Sequence, residues 1–512
     1  MINSRKSVFV LALLLILLSC NENTVKMKSS AQPQLTNDEM QRLVLLDTNY
    51  TYSEAIAKET ALKVASKMKD GQSRSISNVL TVPSLYSLIG KTRITTDFKI
   101  SKPKTPSLYI VNFKDAKGFV VVSADKRTPE ILATVETNTI DSLAHQGLRI
   151  FLDNAVQYID AKVAATEAMR GDAAFNSMVD KLAKALYLEN PTPTDKANSS
   201  GRVATGACAE AVVHVPGANT TSTGCTNTCQ TYVITTPTIT QNITSYTAQP
   251  VIKTLWGQNA PFNSQQPSGG CNTGNYSCGN GGANDKHLMG CVPVAEGQVV
   301  TYFLSKNDPV WQTITNKDKC DYSSSEIDAT SILLRNILLA YGSRGSSGCG
   351  ATSVTQPNSD VALNLEPLGI SPTFGLQQGE WRSYNVGDIR NSLANGKPLL
   401  ITGSQHLTCI IGCWGSGTAH EWIIDGMRDL EVLTSYQVIT YYFGSNYCTS
   451  QPSSTFTYTS LRLTSTEIWQ NWGFEGNGNG WVTEGVFKPI GYTEEYDFNH
   501  ANYIVAYITP YN

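Results

Sequence analysis

The first apolar pattern along the chain is an unbroken run, Val8 to Leu18, with Arg5 and Lys6 before it and Ser19-Cys20 after it. A run of about eleven residues falls short of the ~20 that a membrane-spanning helix needs, so residues 1–20 read as a targeting segment. Residues 21–45 are polar and read as a tether. Thr51-Tyr52-Ser53-Glu54 then has capping-box spacing, and Ala55, Ala61, Leu62, Ala65 and Met68 recur at helical intervals, predicting a helix of about four turns. Leu108 to Phe113 and Phe119 to Val122 are β-type runs flanking the turn-like Lys114-Asp115-Ala116-Lys117-Gly118, which predicts a hairpin. Leu148 to Ala161 returns to helical spacing.

This α+β unit, residues 46–188, ends at the polar stretch Glu189 to Arg202, where Pro191, Pro193, Asn198, Ser199, Ser200 and Gly201 break both periodicities. Residues 189–207 are therefore the expected linker and 208–512 the second domain. Beyond the linker the chain is rich in Thr, Ser, Gly, Asn and aromatic residues, with short β-type runs such as Val438 to Phe443 and no internal repeat. No later stretch is apolar enough to span a bilayer.

Composition narrows the classes. Of 512 residues, 41 % are hydrophobic and 9 % aromatic, which is ordinary for a globular chain of two or three domains. With 39 basic against 42 acidic residues, a net charge of -3 argues against a nucleic-acid partner. Export changes the meaning of the 12 cysteines, because disulfides persist outside a reducing cytosol. Leu17-Leu18-Ser19-Cys20 resembles a bacterial lipoprotein signal, which would leave Cys20 lipidated and place the protein at the outer membrane or cell surface, with release after processing; an ordinary signal peptide is the alternative. Setting aside Cys20 and one thiol for chemistry leaves Cys208, Cys225, Cys229, Cys271, Cys278, Cys320, Cys349, Cys409, Cys413 and Cys448, an even set that permits disulfides of undetermined pairing. Zinc is the rival reading, centred on His406, Cys409 and Cys413, but that spacing matches no common finger. All ten lie beyond the linker, as expected if the N-terminal half is disposable.

The candidate chemistry starts from the thiols. A reactive cysteine needs its thiolate stabilised, and a helix N-terminus beside a cationic imidazole does this. Cys291 follows Gly290 and precedes Val292-Pro293-Val294-Ala295-Glu296-Gly297-Gln298-Val299-Val300, which reads as a buried helix. Pro293 is tolerated only in a first turn, so that helix must begin near Cys291. Among six histidines, His420 opens the apolar run Trp422-Ile423-Ile424-Asp425-Gly426, a buried strand ending in a turn that would hold an imidazole rigidly; His406 competes, and His287 reads as a loop residue. Asn471, followed by Trp472-Gly473, is the candidate to orient the imidazole, and Gln258 the candidate side-chain donor to an oxyanion. Each has a bland reading as turn or surface chemistry.

Together, Trp256-Gly257-Gln258 to Pro261-Phe262-Asn263, Gly290-Cys291-Val292, Ala419-His420-Glu421-Trp422-Ile423-Ile424-Asp425-Gly426 and Asn471-Trp472-Gly473 resemble the signature blocks of the streptopain-type cysteine peptidases. Gly118-Phe119-Val120-Val121-Val122-Ser123-Ala124-Asp125 resembles that family's propeptide strand. The resemblance implies an α+β, papain-like two-lobed peptidase behind an inhibitory α+β propeptide. It implies Cys291 as nucleophile, His420 as general base and then acid, Gln258 as oxyanion donor, and Asn471 with Trp472 as support for His420. It further implies protein or peptide substrates with a bulky apolar side chain just before the residue at the cut, and no cofactor or metal. Pro293, Val294, Phe262 and Glu421 depart from the family pattern; the last sets a carboxyl beside the base. Two alternatives stay open: a transglutaminase or amidase on the same fold, which Asn471 argues against, and a non-catalytic surface adhesin, which the Thr/Ser/Asn-rich segment 216–249 would suit. Activation by a trypsin-like enzyme is expected in the linker, at Lys196 or Arg202, with Arg202 preferred.

Overall fold

Helices and strands contribute in similar measure to this protein, and its central strands are buried along nearly their whole length. The computed structural model describes residues 33–47, 49–68, 73–83, 106–140, 146–187, 229–234, 238–269, 285–340, 376–377, 381–404, 419–443, 451–487, 503–505 and 509–510. In chain order the elements are α1 (Asn37–Gln41), α2 (Glu54–Ala65), β1 (Ile76–Pro83), β2 (Pro106–Phe113), β3 (Phe119–Ser123), β4 (Ile131–Val135), α3 (Gln146–Ala168), α4 (Ala173–Tyr187), β5 (Cys229–Ile234) and β6 (Thr238–Ala248). They continue as α5 (Cys291–Leu304), α6 (Pro309–Asn316), α7 (Ser324–Ala340), β7 (Leu376–Gln377), β8 (Trp381–Ser383), α8 (Val386–Ala394), β9 (Leu399–Ser404), β10 (Ala419–Phe443), β11 (Gln451–Asn471), β12 (Gly480–Thr483), β13 (Tyr503–Val505) and β14 (Thr509–Pro510). The fold is α+β, as the sequence led us to expect.

The chain divides into two compact units. The first comprises Met1–Leu43, Gly171–Val233 and Gln437–Tyr458. Within it, Arg42 pairs with Asp172 at 2.7 Å and Lys181 with Glu39 at 2.7 Å, joining α1 to α4. The second comprises Val44–Arg170, Ile234–Tyr436 and Thr459–Asn512, and it holds every candidate site residue that the structure describes.

In the second unit the strands run in the order β1-β2-β3-β4-β12-β11-β10-β9-β13-β8, with β6 also paired along β10. The join between early and late parts of the chain is β4 with β12, where Gly480 faces Val135, Trp481 faces Thr134 and Val482 faces Ala133. Gly480 permits this approach, since a Cβ there would lie 2.5 Å from the Thr134 carbonyl oxygen. One sheet face carries Leu108, Ile110, Phe119, Val121, Leu399, Ile401, Trp422 and Ile424 into a single core with Phe151 and Ile159 of α3. Opposite-face neighbours divide by position. Tyr109, Val111, Val120 and Val122 pack with Ala57 and Ala61 of α2, whereas Leu400 and Ile423 pack with Val294, Ala295 and Val299 of α5.

Several expectations need adjustment. The expected tether to residue 45 folds at its end: Thr36 and Glu39 form a capping box for α1, and Met40, Leu43, Val44 and Leu45 are buried. The cap of α2 is Ser53, whose hydroxyl accepts from the Ile56 N–H, so the helix starts at Glu54 rather than at Thr51. The hairpin of β2 and β3 forms as read, and α3 outruns its predicted 148–161 span at both ends. Gly426 is not a turn, because β10 runs through it to Phe443. Its missing side chain serves close packing, since a Cβ would sit 2.9 Å from Trp469 Cβ. Residues 1–20 with Cys20, and the linker 189–207 with Arg202, lie outside the described residues.

Asp425, fully buried on β10, ties that strand to the segment leading to Gln258: its Oδ2 accepts the Val251 N–H at 2.9 Å and the Ile252 N–H at 2.7 Å. Burial outweighs these hydrogen bonds and lifts its acid constant to about 7. The folded state thus prefers the neutral carboxyl, and the stability this confers is complete below the ordinary aspartate range and lost as pH rises towards 7. Asp425→Asn keeps an oxygen for both N–H groups and cannot ionise. In urea denaturation the variant should gain stability relative to the parent between pH ~4 and ~7, by about 4 kcal/mol at the upper end. A difference independent of pH would show that Asp425 is already ionised in the folded chain.

Candidate active site

Cys291 is the first residue of α5, as the position of Pro293 required. Gly290, the N-cap, sits at φ 92°, a conformation open to glycine and costly for other residues. The helix is buried along nearly its whole length, with Val294, Ala295, Val299 and Val300 in the core. The half-buried Cys291 is a free thiol. Burial pushes its pKa up to about 11, against the opposing pull of the Glu421 and Val292 backbone N–H groups directed at the sulfur; a charge on Glu421 pushes it up further.

That Glu421 N–H places the helix start against β10, because Glu421 follows His420. Strand alternation sends His420 and Trp422 to one face and Glu421 and Ile423 to the other. The His420 ring stacks between Trp422, at 5.9 Å and 13°, and Phe474, at 4.9 Å and 27°. Its Nε2 lies 2.8 Å from the Trp472 carbonyl oxygen. A carbonyl only accepts, so Nε2 carries the proton and Nδ1, which has no hydrogen-bond partner among the described residues, carries the lone pair. Burial lowers the imidazole to about 4, which keeps it neutral at physiological pH.

Asn471 was read as the group that orients this imidazole. Here its Oδ1 accepts the Gly473 N–H at 3.2 Å, and the Trp472 backbone carbonyl holds the ring instead. Trp472 is itself fixed by an N–H donated to Asn479 Oδ1 at 3.0 Å and an indole N–H donated to the Gly478 carbonyl at 2.9 Å. Gln258 is buried and joined to the loop before Cys291, its backbone carbonyl accepting the Met289 N–H at 2.9 Å. His287 lies in the loop before Cys291, as expected, and donates its backbone N–H to the Pro267 carbonyl.

Two groups stand differently from what the sequence implies. The first is the start of α3: a Cβ on Gly147 would lie 2.5 Å from Trp472 Cε3 and 3.2 Å from His420 Cδ2, so this turn lies directly on the imidazole. Leu148 and Phe151 share a core with Trp472 and Phe487. The second is the carboxyl of Glu421, buried with neither oxygen hydrogen-bonded among the described residues; burial raises its pKa well above the usual carboxylate range, and the charge on Glu296 of α5 adds to this. The sequence sets the Glu421 carboxyl beside the base, but strand alternation turns it to the opposite face, towards Glu296 of α5; the close approach at Gly147 has no sequence signal.

His406, Cys409 and Cys413 lie outside the described residues, and among the described residues no group of three or more His, Cys, Asp or Glu could hold a metal. Of the ten cysteines expected to pair, Cys320 is the one whose side chain is described, and it is disulfide-bonded. No helix among the described residues is long and apolar enough to cross a membrane.

No curated protein matches the chain. Among solved structures, a fragment of prointerpain A from Prevotella intermedia, carrying a cysteine-to-alanine substitution, is similar at 15 % identity with a TM-score of 0.39, covering 84 % of this chain and 98 % of its own. The model of the Spi protease inhibitor family matches residues 53–159, the span from the cap of α2 into α3. Through that segment the chain is similar to the Spi protease inhibitors, in keeping with the streptopain-type resemblance of its motifs.

Proposed function

We propose that the chain is the zymogen of an exported, papain-like cysteine endopeptidase, with Cys291 and His420 as its catalytic dyad and residues 46–188 as its inhibitory propeptide. One observation carries this reading: a free thiol at the start of a buried helix meets the backbone of the residue after a histidine whose Nδ1 lone pair is unused, while a protease-inhibitor-like segment covers that histidine. In the covered state both groups are neutral, the thiol at about 11 and the imidazole at about 4. A thiol at that value is ionised to roughly one part in 10⁴ at pH 7, which suits a stored, inactive precursor.

Release of the N-terminal segment returns solvent to His420, raises its affinity for a proton and allows Cys291 to pass one to Nδ1. The thiolate then attacks a peptide carbonyl carbon. The developing oxyanion lies between the Cys291 N–H, an amide that the helix leaves without a partner carbonyl, and the Gln258 side chain. His420 protonates the departing amine; water, deprotonated by the same imidazole, hydrolyses the thioester and restores the thiol. Trp472 acts through its carbonyl, which fixes the ring and its tautomer.

Cys291→Ala and His420→Ala should abolish cleavage of casein by the processed enzyme, while His406→Ala and His287→Ala retain most of it. Gln258→Ala should lower kcat by ~10² to 10³ with little change in KM, because an oxyanion donor acts on the transition state. A Cys291→Ala enzyme with parental activity would end this reading.

Iodoacetamide labelling of Cys291, followed by peptide mass spectrometry, should be negligible at pH 7 in the intact chain and fast after trypsin cuts the linker near Arg202. Equal labelling before and after the cut would show that the N-terminal segment does not silence the thiol. The separated 37–190 fragment, added back, should inhibit.

For the exported lipoprotein, growth with a labelled fatty acid should mark the full-length chain and leave Cys20→Ala unmarked. An unmarked parent would make the enzyme a plain secreted protein.

A further inference from the structure

Glu475 stands at φ 57°, a left-handed conformation that costs a residue with a Cβ about 1 kcal/mol or more. Such strain persists only where surrounding contacts impose it, and three contacts do so here. The Glu475 N–H donates to the Trp256 carbonyl at 2.9 Å. Its carboxylate pairs with Lys319, and both side chains are largely shielded, at 13 % and 11 % exposure. Its side-chain stem occupies the place a residue at 257 would need, since a Cβ on Gly257 would lie 2.5 Å from Glu475 Cγ. Lys319 is a firm anchor: the neighbouring Cys320 is disulfide-bonded and donates its N–H to the Asp318 carboxylate at 2.8 Å.

The clamped segment, Trp256-Gly257-Gln258, is also held from its other side. Trp256 donates its backbone N–H to Gln298 Oε1 of α5 at 3.2 Å and its indole N–H to the Tyr322 hydroxyl at 3.2 Å, while the Gln258 carbonyl accepts from Met289. Three residues before Glu475, Trp472 holds His420. One short loop therefore bears on both the imidazole and the segment that carries Gln258.

We propose that Glu475, locked by Lys319 and wedged onto Gly257, is a positioning residue that sets the Gln258 amide at its distance from Cys291. This rests on the peptidase reading above and assigns Glu475 no contact with substrate. A displacement of about 1 Å in such a group costs on the order of 10²-fold in rate, so the strained backbone is repaid at the transition state.

The test is a double-mutant cycle on the activated enzyme. Glu475→Ala should lower kcat by ~10- to 100-fold with KM within about twofold, and Glu475→Gln or Lys319→Met, which keep the wedge or its partner's bulk, should lose less. Gly257→Ala should mimic Glu475→Ala by expelling the wedge. In a Gln258→Ala background, Glu475→Ala should cost less than about threefold, because the group it positions is gone. Full multiplicative loss in that background overturns the proposal while leaving the oxyanion assignment intact. If Gln258→Ala alone leaves kcat unchanged, the oxyanion assignment fails and the positioning role falls with it. Thermal midpoints of all variants, and the Glu475→Gln enzyme in particular, separate misfolding from misplacement.

Discussion

Consecutive residues of a β-strand point to opposite faces, and the candidate site depends on that constraint at His420 and Glu421. His420 goes into the core shared with α3, while Glu421 turns towards α5 and its backbone N–H meets the Cys291 sulfur. A one-residue slip of β10 against β9, where His420 faces Gly403 and Glu421 faces Thr402, would exchange the two side chains and leave no imidazole beside the Trp472 loop. The register is held by the residues that follow. Trp422 and Ile424 are fully buried on one face, Ile423 on the other, and the Trp422 indole donates to Gln470 Oε1 at 2.6 Å. Burying an indole of this size stabilises by several kcal/mol, far more than any single hydrogen bond at the site.

What could be read from the sequence was whatever leaves a local mark. Pro293 located the start of α5, the apolar run after His420 located its strand, and the turn between Phe113 and Phe119 located the hairpin. Groups that act through the backbone leave no such mark. The carbonyl of Trp472 holds the imidazole, yet any residue at 472 has a carbonyl, and a side-chain amide at Asn471 was the more visible candidate. Gly426 looked like a turn because glycine often makes one, but here it lets Trp469 approach a continuing strand. The pairing of β4 with β12 joins residues far apart in sequence and has no short-range signature at all.

The electrostatics follow from packing. The thiol and the imidazole are shifted in opposite directions by one cause, loss of solvent; Gly147 lies against the imidazole, and its neighbour Leu148 belongs to the same core as Trp472. Glu421 and Glu296 add a second layer. A carboxyl that stays protonated contributes no charge against the thiolate, whereas its ionised form would oppose it. The departure from the family motif at Glu421 is thus made tolerable by burial itself.

Strand β12 has β11 on one side and β4 on the other. Its four residues, Gly480-Trp481-Val482-Thr483, include no charge and no proline, the devices with which sheets ordinarily blunt an outer strand. Residues 133–135 lie alongside and cover that flank from Gly480 to Val482. Parting from them would leave β12 with a sticky margin open to strand addition by a second molecule. On the proposed reading, the moment at which residues 46–188 leave would then govern solubility as much as activity.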